Sequence, residues 1–203
     1  MILLEQILKA QQGRVILNNI DLSFADRQHY VIIGESGSGK TTLLNLIAGY
    51  EQPDAGSIRI DKRSRIEYLF QDTLLFSNIS VKENMMIKWL GQHRSADQDE
   101  FEENSKRALA LFSVDRFADS KVYSLSGGEK RRVELAQIFL SDPDILLLDE
   151  PTANLDVENK KFIVEMIHKN FRNTIVIVVS HDDQNFFQNY VLLKLQEGKL
   201  YNE

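Results

Sequence analysis

The stretch "GESGSGKTT" spans Gly34–Thr42, between the apolar run "YVII" (30–33) and the run "LLNLIAGY" (43–50). Its residues 34–41 fit the pattern G-x-x-x-x-G-K-[ST]. Glycines in such a loop let successive backbone N–H groups turn toward phosphate oxygens, and the helix that follows adds its positive N-terminal end. Lys40 is expected to reach the β and γ phosphates, and the Thr41 hydroxyl is expected to bind Mg²⁺. The stretch therefore predicts a site for a nucleoside triphosphate, and its position between a strand and a helix disfavours an incidental Gly/Ser turn. The residues predicted to hold the nucleotide are Gly34, Glu35, Ser36, Gly37, Ser38, Gly39, Lys40, Thr41 and Thr42.

Length and composition predict one globular unit. The chain has 203 residues, 43% of them hydrophobic and 27% charged, which suits a single filled core. No apolar run approaches the eighteen or so residues that cross a bilayer, and "MILLEQILKAQQ" lacks the features of a signal peptide. The absence of cysteine suits the cytosol. A net charge of -6 argues against broad binding to nucleic acid or anionic lipid.

Three apolar runs predict a parallel sheet. The runs "YVII" (30–33), "ILLL" (145–148) and "IVIVV" (175–179) lack alternation, as strands buried on both faces do. Each leads into polar residues, "GESG", "DEPT" and "SHDD" respectively. Because ligands bind beyond the carboxyl ends of parallel strands, we expect these three junctions to line one crevice.

Other stretches predict half-exposed antiparallel strands. The segments "NIDLSF" and "GSIRID" alternate apolar and polar residues. The apolar members are Ile20, Leu22, Phe24, Ile58 and Ile60. The final segment "VLLKLQEGKLYNE" resembles a hairpin that turns at Glu197–Gly198.

Helical spacings replace strand signals between Thr73 and about Leu140. We therefore predict a nucleotide-binding core formed by residues 1–72 and 141–203, with a helical subdomain, residues 73–140, inserted between them. Within the subdomain, "GQHRSADQDE" (91–100) is predicted to be a solvated surface loop.

Two adjacent carboxylates, Asp149 and Glu150, follow the run "ILLL". On a strand their side chains point to opposite sides, so they are expected to have different roles. Asp149 is predicted to hold the Mg²⁺ shell, and Glu150 to orient or deprotonate the attacking water. Solvated acids at a strand end are the structural alternative.

A second glycine stretch, "SLSGGEKRR", begins at Ser124 and leads into a helix around "RRVELAQIF". It places Ser126, Gly127 and Gly128 at a helix N-terminus, which is another anion site. A capped helix start with no ligand is the alternative. The basic cluster "EKRR" (129–132) is expected on the helix surface or toward a partner.

Taken together, these residues resemble the ATP-binding cassette (ABC) ATPases. The matching motifs are "GESGSGKT" (Walker A), "LFQD" (Q-loop), "LSGGE" (signature), "ILLLDE" (Walker B), "ANLD" (D-loop) and "VVSHD" (switch histidine). They occur in the family's order and cover nearly the whole chain. The resemblance implies an α/β fold: a P-loop NTPase (RecA-like) core with a mostly parallel sheet, an antiparallel β subdomain and an inserted helical subdomain.

The resemblance also implies roles for individual residues. Gln71 would contact Mg²⁺ or the attacking water, Asp156 would organise an interface between two copies, and His181 would contact the γ phosphate. The catalytic set is then Lys40, Gln71, Glu150 and His181, and the metal set is Thr41, Gln71 and Asp149. A strand-end amide, a helix cap and a surface histidine are the respective alternatives for Gln71, Asp156 and His181.

ATP and Mg²⁺ are the implied cofactors, and two copies are expected to pair head to tail around ATP. The leading hypothesis is the ATPase subunit of a membrane transporter, most like the macrolide, lipoprotein or bacteriocin export type. It would be cytoplasmic and held at the inner face of the membrane by a separate permease, with no membrane insertion and no nucleic acid partner. The residues proposed for permease docking are Leu75, Phe76, Met85, Met86 and Trp89. A soluble ABC ATPase acting on nucleic acid or ribosomes is the rival hypothesis, and an ATP-dependent dimerising switch is a third.

The chain departs from the family at three positions. No aromatic residue precedes Phe24, and Gln11 lies near the position where the family stacks an aromatic ring on adenine. We therefore predict weak discrimination between ATP and GTP. Asn154 and Gln137 replace a small residue and an arginine, respectively, and are expected to tune activity.

Overall fold

The computed structural model describes residues 1–92, 97–181 and 184–202. The strands are β1 (Ile2–Gln11), β2 (Arg14–Phe24), β3 (His29–Ile33), β4 (Ala55–Ile60), β5 (Ile66–Leu69), β6 (Ile145–Asp149), β7 (Ile175–Ser180), β8 (Val191–Gln196) and β9 (Lys199–Asn202). The α-helices are α1 (Lys40–Ala48), α2 (Val81–Gln92), α3 (Gln98–Leu111), α4 (Gly127–Leu140) and α5 (Val157–Asn170). Short 3₁₀ turns cover Asp115–Phe117, Val122–Ser124 and Gln184–Phe187.

The larger sheet has the strand order β5-β6-β7-β3-β8-β9. Every neighbouring pair is parallel except β8 and β9, which form the predicted hairpin. The strands β3, β6 and β7 are adjacent, so their carboxyl ends meet at one edge, as the three apolar runs predicted. The predicted fold class is confirmed.

The runs read without alternation because the two faces of this sheet pack against two different hydrophobic clusters. In β6, Leu146 and Leu148 pack with the helices α2 to α5, whereas Ile145 and Leu147 pack toward α1. Every residue of β6 and β7 is buried. Successive side chains thus alternate between the two clusters, as in any strand, but the alternation does not show in the sequence because all of them are hydrophobic.

The smaller sheet, β2-β1-β4, is antiparallel. Its inward residues Ile20 and Phe24 are buried, and Leu22, Ile58 and Ile60 are half-buried, as the alternation predicted. They share a cluster with α1. The helix that follows the phosphate loop therefore lies between the two sheets.

The middle of the chain is helical, but the predicted loop at 91–100 is wrong at both ends. Helix α2 continues to Gln92, and α3 begins at Gln98 after Asp97, whose side chain accepts hydrogen bonds from the N–H groups of Asp99 and Glu100. Residues 93–96 of that predicted segment lie outside the described residues, as do residues 182 and 183, which follow the switch histidine. The division into a core and an inserted subdomain stays a prediction.

Candidate functional site

A cleft of about 330 Å³ opens at the carboxyl edge of the parallel strands. Its lining is Gln11, Ile16, Ser36, Gly37, Gly39, Lys40, Thr41, Thr42, Gln71, Asp149, Glu150 and His181. All four residues of the predicted catalytic set, and all three of the predicted metal set, therefore face one space. Gly34, Glu35 and Ser38 belong to the loop but do not line the cleft.

Lys40 is held inside the phosphate loop. It is the first residue of α1, and its Nζ donates to the carbonyl oxygens of Gly34 and Glu35 at 2.8 and 3.0 Å. The side chain is buried, with 8% exposure. These bonds keep a positive charge within the loop before any anion binds.

The N-terminus of α1 is open to a ligand. Its N-cap residue, Gly39, has φ 103° and supplies no capping side chain, and the first turn carries no acidic residue. The Ser38 hydroxyl oxygen is buried, and the described chain provides it with no hydrogen-bond partner. Free donors at a positive helix end are the features of an anion site, and this loop fits a phosphate group.

Gly39 is required by packing as well as by its backbone angle. A Cβ at this position would lie 2.7 Å from Cγ2 of Ile16 on β2. Ile16 also lines the cleft, a contact that sequence reasoning missed because its segment "RVIL" carries no motif. The antiparallel sheet thus packs directly on the phosphate loop.

Asp149 is a buried carboxyl group at the end of β6, with 4% exposure. It is hydrogen-bonded to the Thr41 side chain, and the Tyr68 hydroxyl lies 3.4 Å from its Oδ2. Burial raises the pKa of the Asp149 carboxyl, and the charge of Glu150 adds to this effect.

The oxygen donors of this region suit Mg²⁺. Thr41, Gln71 and Asp149 are hard oxygen ligands that face one cleft, and Mg²⁺ commonly combines one or two protein ligands with waters and substrate phosphates. Within the described ranges no group of three or more His, Cys, Asp or Glu side chains could hold a metal by itself. The site therefore fits a metal that binds together with a phosphate group. Sequence reasoning missed Tyr68, whose hydroxyl lies beside Asp149.

Glu150 and His181 form a pair. His181 Nδ1 lies 2.9 Å from Glu150 Oε1, and the His181 backbone N–H donates to Oε2 at 3.3 Å. The strand argument for opposed carboxylates does not hold for Glu150, because β6 ends at Asp149 and Glu150 has φ 48°. Its backbone N–H donates to Val179 O on β7 instead, which aims the carboxylate at the histidine.

The signature glycines lie outside this cleft. Ser126 is the N-cap of α4 and forms a capping box with Glu129, whose Oε2 accepts from the Ser126 N–H at 2.8 Å. Gly127 has open space where a side chain would be, and a Cβ on Gly128 would approach Asn159 Oδ1 at 3.3 Å. The capped helix start is therefore present, with Ser126 and Gly127 exposed and Gly128 buried.

Asp156 is the N-cap of α5 and accepts a hydrogen bond from the Asn159 N–H at 2.9 Å. The Asn159 side chain donates to Asp156 Oδ2 at 2.7 Å and also lies beside Gly128. The D-loop and the signature thus share one neighbour, although they are 28 positions apart by the numbers of Gly128 and Asp156.

A second groove, of about 220 Å³, lies between β5, α2 and α4. Its exposed apolar members are Leu74, Phe76 and Ile87. Of the residues predicted to dock the permease, Phe76 lines this groove, whereas Leu75, Met85 and Trp89 are buried in the core and Met86 packs against it. The helical spacing that suggested them reported the inward face of α2.

The basic cluster "EKRR" is also only partly on the surface. Arg131 is buried, with 8% exposure, whereas Arg132 is half-buried and lies over the Phe162 ring. Sequence reasoning gave no signal for the burial of Arg131. No helix in the described part of the chain is long and apolar enough to cross a bilayer.

Comparisons with known proteins show the family of this chain. The family model described as "ABC transporter" matches residues 17–153. The spermidine/putrescine import ATP-binding protein PotA of Trichodesmium erythraeum is 36% identical over 89% of this chain and 50% of its own length. The macrolide export ATP-binding/permease protein MacB of Campylobacter jejuni is 30% identical over 100% of this chain and 34% of its own length. The chain thus spans half or less of these two relatives.

A solved structure shares the fold over its full length. The ATP-binding cassette MJ0796, in a dimeric post-hydrolysis state bound to ADP and Pi, has a TM-score of 0.86 and 27% identity, and the match covers 100% of this chain and 98% of that one. The family match covers more than half of the chain, and the phosphate loop and the carboxylate-histidine pair lie inside one cleft. This chain belongs to the ABC transporter family, as an ABC-type ATPase.

Proposed function

We propose that the chain is the ATP-binding and hydrolysing subunit of a membrane transporter whose membrane-spanning part is a separate permease. The observation that carries the proposal is the single cleft that collects Lys40, Asp149 and the Glu150–His181 pair. It holds a cation for the phosphates, a carboxylate for a metal and a base beside the place of hydrolysis.

Nucleotide binding uses the loop and α1. The unoccupied N–H donors at the N-terminus of α1 bind phosphate oxygens, and Lys40 neutralises their charge. Thr41 and Asp149, with Gln71, would hold Mg²⁺, which when bound neutralises the charge that develops on the phosphate oxygens.

Hydrolysis depends on Glu150. Its carboxylate accepts the proton of the attacking water, as a general base does. His181 orients that carboxylate through the 2.9 Å contact, and the His181 backbone N–H adds a second contact. Gln71, at the cleft wall, positions the water.

Two copies complete the site. The N-terminal end of α4, Ser126 to Gly128, lies outside the chain's own cleft and is the proposed contact with the partner's nucleotide. A head-to-tail pair places the signature of each copy over the nucleotide of the other, which is a closed two-fold arrangement. The likeness to the dimeric MJ0796 cassette supports this assembly. ATP then stabilises the closed dimer, and hydrolysis releases it.

The test is Glu150→Gln. Steady ATP hydrolysis should fall at least about 100-fold, as expected for removal of a general base. In ATP and Mg²⁺ the variant should elute from size-exclusion chromatography with light scattering at twice the 23.4 kDa of one chain. The control Glu103→Gln, an exposed position on α3, should hydrolyse ATP normally. Normal hydrolysis by Glu150→Gln would overturn the base assignment.

The groove lined by Leu74, Phe76 and Ile87 is the proposed docking site for the permease. With Glu150→Gln as bait in mild detergent and ATP, a multi-span membrane protein should co-purify in roughly equal amount. Adding Phe76→Asp should abolish this, whereas Leu90→Asp, an exposed residue of α2 that does not line the groove, should not. Ribosomal protein or DNA in place of a membrane protein would refute the transporter role and leave the ATPase. The permease would hold the chain at the inner face of the membrane.

Export is the more specific form of the proposal. It is supported by the runs "SGSGKTTLLNLIAG" and "LDEPTANLD" and by the full-chain likeness to MacB. The relatives also include import proteins such as PotA, and the ATPase itself does not specify a direction. The co-purified permease decides between the two.

A further inference from the structure

Two charged residues of α4 are buried without belonging to the lining of the ATP cleft. Arg131 and Glu134 lie one turn apart, 8% and 7% exposed, and Arg131 Nη1 is 3.1 Å from Glu134 Oε2. Burial lowers the pKa of Arg131 and raises the pKa of Glu134, so each charge is costly without the other. A buried ion pair seldom adds net stability over apolar residues of the same size, so this pair needs another explanation.

The pair holds the backbone that carries Gln71. Arg131 Nη1 donates to Phe70 O and its Nη2 donates to Gln71 O, both at 2.8 Å. Glu134 Oε1 accepts from the Leu74 N–H at 3.0 Å. We call Arg131 and Glu134, with these contacts, the α4 clamp.

The clamp is hydrogen-bonded to both ends of an irregular segment. Residues 70–74 follow β5, where the chain leaves the sheet. The planar guanidinium can serve two consecutive carbonyl oxygens and a carboxylate together, which an ammonium on a flexible stem cannot do with the same geometry. The segment therefore takes its position from α4.

The same helix carries the signature at its other end. Ser126 caps α4, and Arg131 is five positions further on by number, which is about 7.5 Å along a helix. Gln71 lines the ATP cleft of its own chain, whereas Ser126 and Gly127 are exposed outside it. One short, rigid element thus joins the part that faces a partner to a residue of the cleft.

We propose that Arg131, supported by Glu134, is a positioning residue that fixes Gln71 to the signature helix, so that engagement of the signature by a partner's nucleotide is passed to Gln71 in the chain's own cleft. The proposal rests on the head-to-tail dimer of the proposed function. It assigns the clamp no contact with nucleotide or metal. Its effect on turnover passes entirely through Gln71.

The first test is a double-mutant cycle on turnover. The clamp is removed by the pair Arg131→Met and Glu134→Leu, which leaves no lone buried charge and so favours folding. If the clamp acts through Gln71, the clamp variant and Gln71→Ala should each lose turnover, by about 10-fold, and the combination should lose no more than the larger single loss.

Three outcomes would overturn the proposal. Multiplied losses in the combination would show that the clamp acts independently of Gln71. Unchanged turnover in the clamp variant would show that its role is structural only, and unchanged turnover in Gln71→Ala would leave nothing to position. The control pair Lys82→Met with Glu102→Leu removes an ion pair between α2 and α3 that does not touch residues 70–74, and it should keep normal turnover.

The second test reads the coupling directly. In the Glu150→Gln background with ATP, hydrogen exchange measured by mass spectrometry should slow in peptides covering both 71–76 and 126–131. With the clamp removed, only 126–131 should slow. Equal slowing of both segments without the clamp would overturn the coupling. Failure of Glu150→Gln to dimerise in ATP would instead refute the proposed function, and the turnover cycle can still be read in that case.

Discussion

Substituting Gly39 by alanine should destabilise the protein by more than its backbone angle alone requires. Gly39 has φ 103°, and a left-handed conformation costs an alanine about 1–2 kcal/mol. The new Cβ would also lie 2.7 Å from Ile16 Cγ2 and 3.1 Å from Leu17 Cδ2, and overpacking of this kind costs about 1–3 kcal/mol. The combined cost is about 3 kcal/mol.

Gly49, at the other end of α1, is the matched control. It too has a left-handed φ, 78°, but a Cβ there would meet nothing within 4 Å. Gly49→Ala should therefore cost about 1 kcal/mol, from backbone strain alone. The difference of about 2 kcal/mol corresponds to about 4–8 °C in melting temperature for a chain of this size.

The assay is thermal and urea unfolding of both variants without nucleotide, followed by circular dichroism. Gly39→Ala should melt below Gly49→Ala by the stated interval, with the urea m-value unchanged. Equal melting temperatures would refute the packing argument, because they would mean that β2 does not press on the phosphate loop. Weaker nucleotide binding by Gly39→Ala alone would not rescue it.

Two further predictions concern the choice between ATP and GTP and the dependence of stability on pH. Gln11 lines the cleft where the family stacks an aromatic ring on adenine, so the KM values for ATP and GTP should differ little. Gln11→Tyr should lower the KM for ATP. A large preference for ATP in the unmodified protein would contradict this prediction. His29 is buried, its Nε2 lies 3.0 Å from Phe171 O, and burial, reinforced by His168, lowers its pKa in the folded state. The unfolded chain therefore takes up the proton first as the pH falls below about 6.5. Stability from this site is full above that pH and declines toward the lowered folded pKa. The urea midpoint should drop between pH 8 and 5.5, and drop less in His29→Gln; equal drops would argue against His29.

Those parts of the site that depend on short patterns could be predicted from the sequence. The phosphate loop needs glycine, lysine and threonine at fixed spacing, and the spacing survives in any fold that places a strand before it and a helix after it. Asp149 and His181 follow buried runs, and the rule that parallel strands end at one edge brings them together. Packing at that edge, including the contact of Ile16 with Gly39, needs two segments that no local pattern connects.

Other features depend on tertiary structure that the sequence does not express. The left-handed φ of Glu150 follows from its bond to Val179 O on the neighbouring strand, so strand alternation gave the wrong reason for its orientation. Arg131 belongs to a basic cluster that resembles a solvated face, and only the approach of residues 70–74 makes it a buried donor. Helix ends near Gln92 and Gln98 were missed because polar residues continue both helices.

The backbone conformation of Glu150 lowers stability, whereas its side chain is the proposed base needed for activity. A left-handed φ is sparsely populated by residues with a side chain, whereas glycine, and to a lesser degree asparagine, adopts it readily. A library of variants selected only for thermal stability should therefore accumulate glycine or asparagine at position 150. Selection for ATP turnover should restore the carboxylate. The most informative position for separating the two pressures in this protein is thus the residue that carries the proposed base.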